Sequence, residues 1–337
     1  MKNKELEEEK KTDRRRVKYL LLLLLLTAVM LSTSTYAWFT TNRIVSVNSL
    51  NVKVQTEGSL EISPDGTNWG TQTNYEEIIN VHSGTYPTSV NQLPAYIKPV
   101  STGGNIDNNG YMEMYLGTVS SNDNGDYALV ASRSIEEEGN GETSNGNFTV
   151  FDLFIRVTKD NDLYLTDESQ LIYNGDTTGT ENAMRVAFVV EGNVPAGSNL
   201  GTIQSLKTTE STNVYIWEPN YNTHTPSGIT NAHDVYGITT TSVDNKSLNY
   251  DGIIRNIEEE ILINRANANN YPNYFKNVNP NIKTVKGYSG YQNLFRLSAG
   301  ITKIRVYMWL EGQDVDCENN ASIGNLGLTL QFSTNPA

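Results

Sequence analysis

Apolar residues fall in one long run near the N-terminus and in many short alternating segments along the rest of the chain. The run is Tyr19–Leu31, and it follows a basic cluster that ends at Lys18. Small hydroxylated residues then lead to Thr35-Tyr36-Ala37, which fits a small-x-small cleavage site. This order is typical of a secretory signal peptide. We therefore predict export of the chain, with cleavage between Ala37 and Trp38.

The alternative is that the leader is retained as a membrane anchor. Residues 19–39 have about the length that a bilayer core requires. Ser32–Thr35 is polar for a membrane interior, however, and the purely apolar part is short. The predicted organisation is a signal peptide over residues 1–37 and one secreted domain over residues 38–337, with an anchor at residues 19–39 as the alternative.

Alternation of apolar and polar residues predicts β-strands in the later part of the chain. Phe148–Val157 has apolar residues on both faces, as a central strand would, and Ala183–Val190 has a regular apolar side. Ile304–Leu310 and Leu326–Phe332 alternate most cleanly, which predicts two half-buried strands. An acidic segment, Glu311–Gly324, joins these two strands, so we expect them to pair antiparallel around it.

The remaining patterns complete the predicted fold class. Ile44–Val54 changes phase at Asn48-Ser49, which predicts a β-bulge or two pieces of strand. Pro64-Asp65-Gly66 predicts a hairpin turn. Helices are expected near Tyr75–Ile79 and over Gly252–Ala266. Together these elements predict a mainly β fold, a jelly-roll-like β-sandwich with one or two helical insertions, preceded by an N-terminal signal or transmembrane helix.

Charge and cysteine content narrow the partners and the means of stabilisation. The formal charge is −13, and Met1–Lys18 holds eight basic and five acidic residues, so the predicted mature part carries −16. An acidic surface repels nucleic acid, and we expect no nucleic-acid partner. Cys317 is the only cysteine, which excludes an internal disulfide framework. Burial and backbone pairing must therefore hold the domain together.

The acidic segment holds the strongest candidate ligands for a metal ion. Glu311, Asp314, Asp316 and Glu318 lie within eight residues, and they repel one another unless solvent or cations separate or neutralise them. We expect a solvated loop and keep these four residues as weak calcium candidates, with no other cofactor expected. Cys317 lies in the same segment, where neighbouring carboxylates disfavour the thiolate, so a catalytic cysteine is not expected.

Motifs of other catalytic or metal sites are missing from the sequence. His82, His224 and His233 lie in polar segments without a metal-ligand spacing, which predicts surface residues. No nucleophile elbow, phosphate loop or dinucleotide motif occurs, so no catalytic residue is assigned and an enzyme is not expected. Asn105–Gly110 resembles the start of a calcium loop, but Leu116 stands where a bidentate glutamate is needed, which favours a simple turn.

The segment after the leader is a candidate for linking one subunit to the next. A strand at the extreme N-terminus need not pair within its own subunit. Ile44, Val45 and Val47 could therefore complete the open sheet edge of a neighbour. The alternative, which the sequence supports at least as well, is an ordinary first strand that folds back on its own sheet.

The leader also carries a family resemblance. Its leucine-rich run, followed by Thr35-Tyr36-Ala37-Trp38-Phe39 and a valine-rich alternating segment, resembles the exported TasA/camelysin group of Gram-positive bacteria over Met1–Gln55. The resemblance implies cleavage by a dedicated signal peptidase, a jelly-roll subunit, and assembly into the fibres of a biofilm matrix by donation of an N-terminal strand. Camelysin has been described as a metalloprotease, but no zinc-ligand motif in this chain supports that activity.

The expected function is that of a secreted structural protein of the bacterial cell surface or extracellular matrix. It would self-associate into oligomers or fibres, and it would meet the translocon and signal peptidase during export. The alternative is a surface adhesin or glycan-binding β-sandwich, because aromatic rings such as those of the four tryptophans can hold sugars by stacking where they are exposed. Ordinary core positions are nevertheless the favoured interpretation of these aromatic residues. A secreted hydrolase is the third possibility, since paired carboxylates leave no local motif.

Overall fold

The computed structural model describes most of the predicted mature domain and a short part of the leader. The described residues are 16–22, 45–55, 60–121, 127–135, 141–143, 146–174, 179–230, 249–261, 271–285, 287–317 and 325–336. Within them the chain is mainly β. Residues 16–22 are helical, and Ala37, Trp38 and Ile44 of the predicted cleavage site and assembly strand lie outside the described residues.

Strands make up most of the described elements. In the first half they are β1 (Val45–Val54), β2 (Glu61–Ser63), β3 (Gln72–Asn74), β4 (Gln92–Pro94), β5 (Tyr96–Ile97), β6 (Val100–Ser101), β7 (Met114–Ser121), β8 (Tyr127–Ser134), β9 (Gly141–Thr143), β10 (Thr149–Val157) and β11 (Asn161–Leu165). In the second half they are β12 (Gln170–Asn174), β13 (Met184–Val194), β14 (Val214–Glu218), β15 (Tyr250–Ile253), β16 (Ile257–Ile261), β17 (Phe275–Val278), β18 (Ile282–Lys283), β19 (Gln292–Leu297), β20 (Gly300–Leu310) and β21 (Asn325–Ser333). Short helical segments lie between them: α1 (Tyr75–Ile79), α2 (Leu200–Gln204), a 3-10 turn at Ser211–Asn213 and a helical stretch at residues 226–230.

Two large sheets organise these strands. Sheet 1 has the order β19-β11-β21-β1-β3, with β12 also beside β21 and β5 beside β1. Sheet 2 has the order β18-β14-β13-β20-β10-β4-β9, with β2 also beside β10. Two smaller sheets, β16-β8-β7-β6 and β15-β17, lie outside them. In sheet 1 the first and last strands, β1 and β21, are parallel neighbours.

The main core lies between the facing sides of sheets 1 and 2. Alternate residues of β10, β13 and β20 point inward and meet the apolar side of β1 and β21. Phe188 and Phe332 join the two sheets edge to face, with ring centroids 6.0 Å apart. Alternation with a period of two places these side chains on one face of each strand, and their burial is the main stabilising term of the fold.

Sheet 2 is buried on its outer face as well. Tyr307 and Trp309 of β20 belong to a second apolar cluster with Met112 and Met114, which lie next to or in β7. A third cluster covers the other end of the same face, where Phe154 packs with residues that include Tyr86 and Ile203. Sheet 2 is therefore a central layer, with sheet 1 on one side and loops and small sheets on the other.

Several local predictions are confirmed. The register of β1 against β21 shifts between Val47 and Ser49, which is the bulge expected from the phase slip. Helix α1 forms where it was predicted, and Asn74 and Glu77 close a capping box at its N-terminus. The Pro64-Asp65-Gly66 segment turns the chain back, because β2 residue Ile62 bridges antiparallel to Gly70. Gly66 takes a positive φ of 78° in this turn.

The predicted helix over Gly252–Ala266 is wrong for its described part. The structure has β15 and β16 there, paired with β17 and β8. Isoleucine is β-branched and favours strands, and Gly252, the first residue of the predicted range, is a poor helix former. Gly252 also lies against the backbone of Thr102, where a Cβ would come within 1.9 Å of the carbonyl oxygen. The isoleucine spacing is compatible with both a helix and a strand, and pairing with β17 and β8 stabilises the strands.

The predicted antiparallel pairing of the last two strands is also wrong. Strand β20 lies in sheet 2 between β13 and β10, whereas β21 lies in sheet 1 beside β1, β11 and β12. Both edges of each strand are thus occupied by other partners. The half-buried prediction is wrong for β20, which is buried on both faces, and the inner apolar residues of β21 are buried as expected.

Candidate functional sites

Strand β1 is the first described strand of the chain, and it lies inside sheet 1 with β21 on one edge and β3 and β5 on the other. Val45 and Val47, both predicted to belong to an assembly strand, are buried and pair within the sheet of their own chain. Val45 also faces Ile97 of β5, and the Val47 amide donates to the carbonyl of Ala95 at 3.0 Å. Strand β1 is therefore held in its own subunit by backbone hydrogen bonds on both edges and by apolar side chains on one face.

The leader itself adds little to the structural description. Among the residues that the structure describes, no helix is long and apolar enough to cross a membrane. Most of the apolar run lies outside those residues. Export and cleavage between Ala37 and Trp38 therefore stay predictions.

The acidic segment is not the solvated loop that we expected. Glu311, Asp314 and Asp316 are buried, with at most 4 % of each residue exposed, and Glu318 lies outside the described residues. The reason is that residues 311–317 fold across the outer side of sheet 2 and find cationic and N–H partners there. Cys317 is buried in the same segment, as expected for a structural thiol.

Arg185 lies at the centre of this region. We call the group of ionisable residues around it the Arg185 cluster, which consists of Arg185, Glu218, His224, Glu311, Asp314 and Asp316. Arg185 extends from the outer face of β13 and is fully buried. Its Nη2 lies 2.8 Å from Glu218 Oε1 and also contacts Asp314 Oδ2. Its guanidinium lies 5.5 Å from the centroid of the Tyr250 ring. The arginine thereby ties together β13, β14, β15 and the 311–317 segment.

Two carboxyl groups of the Arg185 cluster have strongly altered acidity. Burial raises the pKa of Glu218 to about 7, although the positive charge of Arg185 opposes the shift. Burial also raises the pKa of Glu311 to about 7, although hydrogen bonds to its carboxylate, including one from the Trp309 indole N–H at 3.0 Å, act in the other direction. Both groups therefore change charge near neutral pH.

The side chain of His224 is buried in this cluster, so its prediction as a surface residue is wrong. Its Nδ1 lies 2.8 Å from Asp316 Oδ2, and both side chains are inaccessible to solvent. Burial alone would lower the pKa of His224, but its hydrogen bond to Asp316 and the charges of Asp314, Asp316 and Glu218 together raise it. The hydrogen bond to Asp316 thus favours the protonated form of the imidazole.

The donor atoms of this cluster do not fit a calcium site. Ligand atoms of His224, Asp314 and Asp316 lie within 4.8 Å of one another. However, Asp316 Oδ1 already accepts from the amide and the hydroxyl of Thr225 at 2.9 and 2.7 Å, and Asp314 contacts Arg185. A divalent cation would have to share this space with a buried guanidinium. Ca²⁺ prefers six to eight oxygen ligands, which this set does not offer.

A second buried ionic group lies on the same face, and we call it the Asp152 cluster, defined as Tyr86, Asp152, Glu191, Lys303 and Arg305. Asp152 Oδ1 lies 2.8 Å from Arg305 Nε, and Asp152 Oδ2 lies 3.1 Å from Lys303 Nζ. Arg305 Nη1 lies 3.2 Å from Glu191 Oε1. The Tyr86 hydroxyl donates to Asp152 Oδ2 at 3.1 Å. Two cations and two carboxyl groups are thus enclosed together.

The pKa directions follow from this enclosure. Burial would raise the pKa of Asp152, but Arg305 and Lys303 outweigh it and the pKa is lowered. Burial lowers the pKa of Lys303, although Asp152 opposes the shift. Burial raises the pKa of Glu191. The lysine and the glutamate are therefore pushed toward their neutral forms, while the aspartate is held ionised.

A surface groove of about 670 Å³ opens beside the Asp152 cluster. Its walls come from the Pro64-Asp65-Gly66 turn region, from α1 and the chain after it, and from α2. Trp69 lies along it, with the Arg156 guanidinium 4.4 Å from the ring centroid. The lining is otherwise mostly polar: Asp65, Thr67, Asn68, Gln72, Glu77, Asn80, Thr85 and Gln204. An aromatic ring among amides, carboxylates and hydroxyls is suited to a polyhydroxylated ligand.

The other residues singled out in the sequence have structural roles. Asp107 Oδ1 accepts from the amides of Asn109 and Tyr111 at 2.8 and 2.9 Å, which confirms that Asn105–Gly110 is a turn. Trp217 and Trp309 are fully buried core residues. Trp38 and His233 lie outside the described residues.

Sequence reasoning missed the two ionic clusters. Their signal was present as single charges inside otherwise apolar strands: Arg185 in AMRVAF, Asp152 in FTVFDLF, and Lys303 and Arg305 in ITKIRVYMW. A charge in a strand that is apolar on both faces must be paired if the strand is central. The prediction treated the charged side of β20 as solvent-facing and so did not look for partners.

Comparisons with known proteins add no further constraint. No family model matches the chain, and no curated protein or solved structure matches it significantly. The functional argument therefore rests on the residues and geometry described above.

Proposed function

We propose that this protein is a secreted structural component of the bacterial cell surface or extracellular matrix, a jelly-roll-like β-sandwich whose subunits associate by exchanging β1. The predicted export signal and the acidic composition with a single cysteine support the proposal. The resemblance of Met1–Gln55 to the TasA/camelysin group supports it as well. The observation that carries it is the position of β1 in the sheet.

Strand β1 is placed where exchange needs no new contacts. It follows the leader directly in sequence, and it pairs parallel with β21 over Ser46–Val54. Its buried residues, Val45, Val47, Leu50, Val52 and Val54, enter the main core. A β1 strand from a second copy could make the same hydrogen bonds and fill the same apolar positions. Exchange of an identical element between subunits is a low-cost route to assembly.

The receiving subunit would have strong reason to bind a donated strand. Without β1, the edge of β21 would expose unpaired N–H and C=O groups beside an open apolar core, which is the situation that favours strand addition. Each donated strand would close the core of the next subunit and leave that subunit's own β1 available. Repetition of this step produces an open chain of subunits rather than a closed dimer.

The test compares assembly of two forms of the mature chain. We expect residues 38–337 to form oligomers or fibres by light scattering and electron microscopy, and the same chain lacking residues 38–47 to remain monomeric. Lys53→Ala is the matched control, because Lys53 lies on β1 but outside the apolar core, and it should assemble normally. A mature chain that stays monomeric at every concentration, or a truncated chain that still forms fibres, would refute the proposal.

The groove beside Trp69 favours a second function, that of a glycan-binding surface domain. Its volume, its mostly polar lining and its aromatic wall are suited to stacking a sugar ring and hydrogen bonding its hydroxyls. Binding to bacterial or host polysaccharides should be lost in Trp69→Ala and retained in Trp69→Phe, measured by calorimetry. Trp217 is buried in the core, so a Trp217→Phe variant serves as a folding control that should still bind.

A further inference from the structure

In the Asp152 cluster a lysine and a carboxyl group are in contact with each other, and both are shielded from water. Lys303 Nζ lies 3.1 Å from Asp152 Oδ2, and the two side chains are 1 % and 0 % exposed. Their strands, β20 and β10, are antiparallel neighbours in which Phe154 faces Lys303 and Asp152 faces Arg305. Both side chains project from the outer face of sheet 2. The contact is thus fixed by the register of two central strands.

The surroundings favour the neutral amine that a nucleophilic attack requires. Lys303 Nζ lies 5.2 Å from the centroid of the Tyr86 ring and 5.9 Å from that of Phe154. It donates to the carbonyl of Gln204 at 2.9 Å, which orients it beside the carboxyl group. Burial lowers the pKa of the lysine. A desolvated lysine of this kind can lose its proton to a neighbouring group.

Charge compensation would remain after the two groups had reacted. Arg305 contacts both Asp152 and Glu191. If Lys303 and Asp152 became one neutral amide, Arg305 and Glu191 would be left as a single buried ion pair. Condensation would remove a buried cation and a buried anion from a region where each charge is costly to desolvate. The cluster is therefore arranged so that condensation leaves no uncompensated charge.

We propose that Lys303 and Asp152 form an intramolecular amide bond that covalently ties β20 to β10. The ammonium proton passes to the Asp152 carboxylate, so that a neutral amine faces a carboxylic acid. The Nζ lone pair attacks Cγ and forms the C–N bond, the C–OH bond breaks, and a proton from nitrogen leaves with the hydroxyl as water. No oxidant, reductant or other co-reactant is needed.

The close contact between Lys303 and Asp152 favours this reaction. Two groups held in reactive contact can behave as though present at effective concentrations of about 10⁵–10⁸ M. Exclusion of water also opposes the reverse hydrolysis. Arg305 favours the ionised form of Asp152, so the neutral pair is a minority state and we expect the bond to form slowly after folding. Glu191 acts as a positioning residue, because it contacts Arg305 and its carboxylate can pair with the Arg305 charge once the Asp152 carboxylate has reacted.

The test is the intact mass of the folded mature chain, followed until it no longer changes. We expect a mass lower than that of the sequence by one water molecule, and a branched peptide in a digest that joins the segments holding Asp152 and Lys303. Lys303→Arg should keep the full mass, and Glu191→Gln should slow the loss of water. A wild-type chain whose mass stays at the sequence value overturns the proposal, whatever the variants do.

Two comparisons make the result specific. Lys53 Nζ lies only 2.8 Å from Glu168 Oε2, but the two side chains are 39 % and 60 % exposed, so this solvated pair should give no branched peptide. Asp65-Gly66 and Asp251-Gly252 could lose water by closing a succinimide ring. That loss would persist in Lys303→Arg, and such persistence in the absence of the branched peptide would also overturn the proposal.

Discussion

The two faces of sheet 2 are both buried, yet they are built from different chemistry. The inner face presents Ile304, Val306 and Met308 of β20 to sheet 1, whereas the outer face of the same strand presents Lys303 and Arg305. All five residues are at most 3 % exposed. Burial in this fold is therefore set by the layer a strand occupies and not by the polarity of each residue.

The two faces also contribute differently to the free energy of unfolding. Apolar side chains on the inner face stabilise the fold roughly in proportion to the area they remove from water. On the outer face the attraction within an ion pair offsets a large desolvation cost, so the net gain is small while the loss on breaking a pair is large. The ionic clusters do fix which segments cover the sheet, since Arg185 contacts Asp314 of the 311–317 segment and Tyr250 of β15.

Removing the central cation of the outer face should have the largest effect. Arg185→Met keeps much of the side-chain volume but leaves Glu218 and Asp314 buried without their shared partner. We expect the free energy of unfolding to fall by about 3–5 kcal/mol, measured by urea denaturation at neutral pH. Met184→Leu is the matched control on the inner face of the same strand, and it should cost less than about 1.5 kcal/mol.

A further substitution sharpens this result. If unpaired carboxylates cause the loss, then adding Asp314→Asn to Arg185→Met should recover part of it, because one buried charge is removed. Equal losses in Arg185→Met and Met184→Leu would show that the ionic cluster is no more sensitive than the apolar core. That result would contradict the distinction drawn between the two faces.

The second expected effect is a dependence of stability on pH that arises from buried groups on the outer face. The pKa values of Glu218 and Glu311 are raised from 4.5 to about 7 in the folded chain, so the folded state binds these protons more tightly than the unfolded state. Their contribution to stability is present at low pH and is lost as the pH rises from about 4.5 to 7, by up to about 3 kcal/mol for each group.

His224 acts in the same direction over a neighbouring range. Its pKa is raised from 6.5, so the stability it contributes is present below that value and is lost as the pH rises through its folded pKa. Asp152, whose pKa is lowered from 3.8, contributes stability that is lost only as the pH falls through its folded pKa. We therefore expect the highest melting temperature in mildly acidic solution.

The pH dependence can be assigned by substitution. Glu311→Gln should flatten the decline in melting temperature between mildly acidic and mildly basic solution. Ile304→Val, on the inner face, should lower the free energy of unfolding by about 0.5–1.5 kcal/mol equally at all pH values. A decline of the same slope in Glu311→Gln and in the unsubstituted chain would rule out Glu311 as a source.

The comparison explains which parts of the structure could be predicted from the sequence. Period-two alternation located β10, β13, β20 and β21, and the phase slip located the bulge in β1, because these signals depend on local side-chain direction. Strand partners could not be predicted in this way. Whether β20 pairs with β21 or with β13 depends on contacts between segments more than a hundred residues apart, which alternation does not encode.

The candidate sites illustrate the same limit. Four carboxylates in Glu311–Glu318 indicate a solvated loop if only neighbours in sequence are considered. Two of the partners that bury three of them, Arg185 and Thr225, are distant in sequence, and only Trp309, in the preceding strand β20, is a neighbour. Only a charge in the interior of an apolar strand pointed to these clusters in advance. That signal predicts a need for a partner but not its identity.

The smallest expected effect concerns an ion pair at the open end of the outer face. Arg156 lies on the same side of β10 as Asp152, and its Nη2 is 2.6 Å from Glu61 Oε2, but the side chains are 33 % and 42 % exposed. Because water and salt screen this pair, Glu61→Gln should lower the free energy of unfolding by less than about 1 kcal/mol. The loss should shrink further in high salt.

The Arg156 guanidinium also covers Trp69, so Arg156→Lys should lower the free energy of unfolding more than Glu61→Gln does, through lost contact with the ring. A loss in Glu61→Gln as large as that in Arg185→Met would mean that position on the face, rather than exclusion of water, sets the cost of breaking a pair.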